Sequence, residues 1–212
     1  MSMFKKGFTL AEVLITLLII GVIASIVLPG LIANTQMAEY KIAWKKIFAD
    51  INQAYYMINM DNNGTFAGAA TNSSSFRNLF KNKMNFVTTC DDTSCAASSV
   101  KGLNGSADTT YSFNYNLVLN NGTIMSIFAL DNPSCTNSGY VSSMGKECGW
   151  MMVDVNGKKS PNQWGKDIYG IWVLNNEILP WGANPEGTAN NSWVESTCTT
   201  TGYGCGSKYL YN

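Results

Sequence analysis

The chain has 212 residues, 46% of them hydrophobic and only 13% charged, with 14 basic and 14 acidic side chains that cancel. An ordinary soluble domain carries roughly 25% charged residues, so polarity here comes from Asn, Ser, Thr and Gly. Histidine is absent, which removes Ser-His-Asp and Cys-His catalysis and every histidine-containing zinc site; every basic residue except Arg77 is lysine, with no basic excess, which argues against dedicated nucleic-acid binding.

Residues Met1 to Gly7 read MSMFKKG, with Lys5 and Lys6, and an apolar run follows from Phe8 to Leu28. As a helix that run measures about 31 Å, enough to cross the hydrocarbon core of a bilayer. The lysines ahead of it orient Met1 toward the cytoplasm and the remainder outward. Two plain readings are a secretory signal peptide cut after Ala24 and an uncut anchor. Neither accounts for Glu12, a carboxylate inside the apolar run that costs on the order of 2 kcal/mol or more unless paired.

The stretch Gly7-Phe8-Thr9-Leu10-Ala11-Glu12-Val13-Leu14-Ile15 resembles the processing site of type IV prepilins and type II secretion pseudopilins. The resemblance implies cleavage between Gly7 and Phe8 by an inner-membrane aspartyl prepilin peptidase, which also methylates the new Phe8 amino group. It implies an apolar run that stays in the mature protein. It also implies that Glu12 pairs with the N-terminal ammonium of a neighbouring subunit, a buried charge finding its counter-charge.

Beyond the apolar run, Tyr40, Trp44, Ile47, Phe48, Ile51, Tyr55 and Ile58 recur at spacings of three and four, while Glu39, Lys41, Lys45, Lys46 and Asp50 lie between them. That is an amphipathic helix, stopped at Asn62-Asn63-Gly64. The periodicity predicts one helix from about Phe8 to about Met60, or two helices broken at Pro29-Gly30. Residues 62–75 read as a loop and Ser75 to Phe86 as a short helix with Phe76, Leu79 and Phe80 inward. Cys90 to Ala107 reads as irregular. Alternation predicts strands at Tyr111 to Leu119, Thr123 to Leu130, Gly149 to Val155 and Ile168 to Leu174, with Asn120-Asn121-Gly122 as a hairpin turn. Short strands joined by tight turns predict antiparallel pairing.

Between the last two strands stands Asp154-Val155-Asn156-Gly157-Lys158-Lys159-Ser160-Pro161-Asn162-Gln163-Trp164-Gly165-Lys166-Asp167. The pattern resembles a loop of pilin-like heads, some of which bind calcium. Asp154, Asn156 and Asp167 offer the oxygen ligands that calcium prefers. Position twelve from Asp154 is Gly165 rather than glutamate, so this is no EF-hand, and a turn held by Asx hydrogen bonds is the competing reading.

Cys90, Cys95, Cys135, Cys148, Cys198 and Cys205 are even in number and all lie after residue 89. They read as disulfides in an oxidising compartment rather than as buried thiols. Local pairing closes the shortest loops, giving Cys90–Cys95, Cys135–Cys148 and Cys198–Cys205. The tail from Asn184 carries Trp193, Tyr203, Tyr209 and Tyr211, read as a cover for the sheet or as a partner- or sugar-binding surface.

The whole reads as an α+β chain: a long N-terminal membrane-spanning helix packed on a small antiparallel head. Its parts are a leader over 1–7, a membrane and assembly helix over 8–30, an amphipathic stalk over 31–60 and a disulfide-braced head over 61–212. The family resemblance implies a filament subunit rather than an enzyme, anchored singly in the inner membrane with its head outside and then built into a periplasmic or extracellular filament. It implies as partners identical or related subunits, the peptidase/methyltransferase and an inner-membrane assembly platform. A minor tip subunit or adhesin-like membrane-anchored binding protein is the alternative.

Overall fold

The computed structural model describes residues 7–129, 134–136, 147–183 and 193–211. Helix α1 runs from Leu10 to Asp61 with Pro29 inside it, so the single-helix expectation holds over the break at Pro29-Gly30. The chain divides into two units, Met1–Glu39 and Tyr40–Asn212. In the first, almost every described side chain is exposed, and this part of α1 is long and apolar enough to cross a membrane.

The second unit is built on the stripe of α1. Trp44, Ile47, Ile51, Tyr55 and Ile58 are all buried, in one core with Leu117, Met125, Ile127, Met151, Val153, Tyr169, Ile171 and Val173 of the sheet. Polar tips on this stripe are satisfied. Trp44 Nε1 donates to the Gly206 carbonyl at 2.9 Å and Tyr55 OH to the Leu174 carbonyl at 2.8 Å. The Trp44 indole stacks on Tyr169 with centroids 4.5 Å apart.

Helix α2 spans Ser73–Lys81 and starts at a reciprocal cap. Asn72 Oδ1 accepts from Ser75 N at 2.8 Å and Ser75 Oγ accepts from Asn72 N at 3.0 Å. Phe76 and Phe80 are buried, as the sequence predicts. The predicted extension of this helix to Phe86 is corrected, because residues 86–90 form a strand. The strands are β1 (Phe86–Cys90), β2 (Val100–Lys101), β3 (Ala107–Asp108), β4 (Asn116–Leu119), β5 (Ile124–Ala129), β6 (Glu147–Asp154), β7 (Ile168–Leu174) and β8 (Ile178–Pro180). Six of them form one sheet in the order β1-β4-β5-β6-β7-β8, antiparallel throughout, and β2 pairs with β3.

The predicted strand from Tyr111 is shorter than expected, since pairing begins only at Asn116. Tyr115 takes φ 51°, a left-handed conformation that no strand accommodates. Asn116 instead fastens this turn by donating to the carbonyls of Asp92 at 2.7 Å and Phe113 at 2.9 Å. The hairpin after β4 forms as expected, with Gly122 at φ 87°. Leu130, the predicted end of the return strand, lies outside the described residues.

The other face of the sheet carries a second core of aromatic rings, in which Trp164, Trp172, Trp181 and Trp193 are buried. Trp164 and Trp181 stack at 5.3 Å. A Cβ placed on Gly170 would lie 2.0 Å from the Trp181 ring, so β7 carries glycine where the indole lies against its backbone. In the tail, Glu195–Thr199 forms a 3-10 turn and Cys205–Tyr211 forms helix α3, which the Gly- and Thr-rich sequence does not predict. Trp193 is buried and its Nε1 donates to Tyr111 OH at 2.7 Å, while Tyr203 OH donates to Asp108 Oδ2 at 2.8 Å. These tail aromatics cover the sheet; Tyr211 is exposed. Residues 184–192 lie outside the described residues. The cysteines are joined as Cys90–Cys95, Cys135–Cys148 and Cys198–Cys205, with Cα separations of 6.0, 4.2 and 4.5 Å.

Candidate functional sites at the start of α1 and in the β6–β7 loop

Gly7, Phe8 and Thr9 precede the first helical residue and are exposed. Phe8 presents 89% of its surface, and a Cβ on Gly7 would meet no atom within 4 Å. Among the described residues, therefore, nothing requires glycine at position 7. Lys5 and Lys6 of the expected leader lie outside the described residues.

Glu12 is held by Thr9. The Thr9 N–H donates to Glu12 Oε2 at 2.8 Å, its hydroxyl donates to the same oxygen at 2.9 Å, and Glu12 N–H donates to Thr9 Oγ1 at 3.2 Å. This is the reciprocal capping arrangement in which a threonine and the glutamate three residues on satisfy each other's free donors. Reading Glu12 by its charge alone misses it, although Thr-x-x-Glu ahead of an apolar run carries the signal.

The β6–β7 loop brings Asp154 and Asp167 into the core at 1% and 0% exposure. Asp167 is satisfied by the backbone: Asn162 N–H donates to Oδ2 at 2.8 Å and Gln163 N–H to Oδ1 at 2.7 Å. Asp154 Oδ1 accepts from Asn156 N–H at 3.2 Å, but Asp154 Oδ2 and Asn156 Oδ1 are buried without a partner. The Asn156 amide nitrogen donates to Tyr40 OH at 3.2 Å and to the Ser160 carbonyl at 3.3 Å. Burial, and then the negative charge of Asp167, push the Asp154 carboxyl up to about 8. Burial also raises Asp167, against the pull of its backbone donors.

Of the three residues singled out in this loop, Asp154 and Asn156 hold unsatisfied oxygens, whereas both oxygens of Asp167 already accept backbone N–H groups. The unsatisfied pair is the donor set of a hard cation. Among the described residues no group of three or more acidic or cysteine side chains is placed to hold a metal, so a cation here would draw its remaining ligands from amide and carbonyl oxygens and water.

An apolar helix of membrane-crossing length with a capped, exposed start, leading to an antiparallel α+β head, is a pilin-like architecture. Residues 2–28 match the family described as "Prokaryotic N-terminal methylation motif". The chain is 39% identical over 59 residues to the type II secretion system core protein G of Aeromonas hydrophila, covering 28% of this chain and 41% of that protein. It is 40% identical over 58 residues to the core protein G of Escherichia coli (strain K12), covering 27% and 39%. The chain thus spans about two fifths of the length of the curated relatives it matches. No solved structure matches it. The likeness lies in the N-terminal segment, which carries a prepilin-type methylation motif and is similar to the corresponding stretch of type II secretion core proteins G.

The raised Asp154 carboxyl has a measurable consequence in cation-free buffer. Folded, the group keeps its proton up to about pH 8, whereas its ordinary value is 3.8. Between those values the folded state binds more protons than the unfolded one, so stability is greatest at the acid end and falls as pH rises through the window. Urea midpoints measured from about pH 4 to about pH 8 are expected to decline, and Asp154→Asn to flatten the decline. An identical slope in that variant would remove Asp154 as its source.

Proposed function

We propose that this chain is a structural subunit of a pseudopilus or type IV pilus-like filament, cut between Gly7 and Phe8, methylated on Phe8 and assembled through α1. The observation that carries this reading is the prepilin-type segment over residues 2–28 running directly into one helix from Leu10 to Asp61. The subunit would wait in the inner membrane with its head outside. Its partners would be the prepilin peptidase, an inner-membrane assembly platform and copies of itself or related subunits. N-terminal peptide mass of the membrane-bound protein tests the cut. A methylated Phe8 is expected; a start at Ser25 or an uncut Met1 sinks the reading.

Glu12 would supply the counter-charge for the Phe8 ammonium of the next subunit. Glu12→Ala is expected to insert in the membrane and still to be cut when peptidase is in excess, since Gly7 and Phe8 are untouched, but to fail in assembly. Losing one partner of a buried ion pair costs on the order of 3 kcal/mol or more at every contact. Glu12→Gln is milder, because its amide oxygen still accepts from the ammonium, and Glu12→Lys is worst. The ratio of sheared filament to membrane-bound subunit reads the effect; normal filaments built from Glu12→Ala alone would refute the role.

For the β6–β7 loop we propose a calcium site in which Asp154 Oδ2 and Asn156 Oδ1, the two buried oxygens without partners, are ligands. The cation would remove the cost of two buried carboxylates side by side and stiffen the loop. Calcium is expected to raise the unfolding temperature of the full chain and chelator to reverse the gain. Asp154→Asn should abolish the calcium response; a response unchanged in that variant would place the ion elsewhere.

A further inference from the structure

We propose that Thr9 is a positioning residue for the cut between Gly7 and Phe8: with Glu12 it fixes where α1 begins and so holds the scissile peptide out of the helix. This rests on the processing reading above.

The Thr9 N–H decides where the helix can begin. A helix extended toward the N-terminus would need that group to donate to the carbonyl of residue 5, four residues back. It is already committed to Glu12 Oε2 at 2.8 Å. The Thr9 hydroxyl meanwhile accepts the Glu12 N–H at 3.2 Å, and the Thr9 carbonyl accepts the first helical bond, from Val13 N at 3.3 Å. Thr9 is therefore the residue at which the helix stops, and such a residue takes a non-helical backbone conformation. Of the described residues before it, Phe8 is 89% exposed and Gly7 has open space on its Cβ side.

The cap matters more beside lipid than in water. A backbone N–H without a partner is costly there, so an uncapped apolar helix gains by winding backward through Phe8 and Gly7. A peptide bond inside a helical turn has its N–H and carbonyl engaged and must unwind before a peptidase can bind it extended. The apparent affinity then falls by the fraction of chains that are unwound. Position 9 thus acts on recognition and leaves the chemistry of the cut alone.

The test uses the full chain in liposomes with a prepilin peptidase, and follows the product by mass. Thr9→Val keeps the shape of threonine and loses the hydroxyl; Thr9→Ala loses the hydroxyl and favours helix. Both are expected to raise KM about five-fold with kcat unchanged, the size of a lost N-cap. Thr9→Ser and Thr9→Asn, which also cap helices, are expected to restore wild-type KM. The carbon-13 shift of a labelled Phe8 Cα in the uncut chain should be extended in wild type, Ser and Asn, and helical in Val and Ala. Wild-type KM in Val and Ala overturns the proposal. So does an equal loss in Ser, Asn and Val, which would mean that the peptidase reads the threonine itself. Failure of the wild-type chain to be cut after Gly7 is a separate result: it overturns the processing reading, and this inference with it.

Discussion

The structure depends on one helix serving two solvents. From Leu10 to Asp61 the backbone is one helix whose hydrogen bonds are largely internal, Pro29 having no N–H to give, and internal bonding is the condition for lying in lipid. Side chains alone change character along it. The first part is apolar on all sides and buries none of them, whereas from Tyr40 onward one stripe is committed to the core of the head. The sheet, the second helix and the tail are arranged around that stripe. Without Trp44, Ile47, Ile51, Tyr55 and Ile58 the inner face of the sheet would be open to water.

The head solves a problem set by its composition. Few charges are available, so buried polarity is handled by amides and hydroxyls. Asn116 ties the segment before β4 to the Asp92 and Phe113 carbonyls, and Gln163 Nε2 donates to the carbonyls of Gly102 at 2.7 Å and Leu103 at 3.1 Å. Of the carboxylates buried around the β6–β7 connection, Asp167 is satisfied by backbone N–H groups, whereas Asp154 is left with one oxygen short of a partner. On the outer face, indole and phenol groups hydrogen-bond one another or Asp108 while their rings pack, so aromatic surface and polar satisfaction come from the same residues.

How much of this was legible in the sequence varied with the strength of the local signal. The α1 stripe was readable because seven large side chains repeat with the helical period, and β7 because an unbroken apolar run fixes both its ends. Strand β1 was hidden, since it is an edge strand whose Phe86, Val87 and Thr88 face solvent and so lack alternation. Strand β4 was read too long because nothing in the run from Tyr111 announces the left-handed Tyr115. Helix α3 lies in a Gly- and Thr-rich tail and owes its place to tertiary contacts, the Trp44 bond to Gly206 and the Cys198–Cys205 bridge. At the candidate sites, residue types were legible and their partners were not. Thr9 and Asp167 both spend their hydrogen bonds locally, which only geometry reveals.

The bond from Trp44 to Gly206 joins residues 162 apart in sequence. In a chain that enters the membrane by its N-terminus, the stalk emerges long before the residues that will cover it have been translated. Until β7 and α3 have been made, the stripe from Trp44 to Ile58 has no core to enter and is a bare amphipathic surface. Contacts this far apart in sequence form late in folding, so the head closes only when α3 is available. The stripe on α1 is thus covered only once α3 has been made.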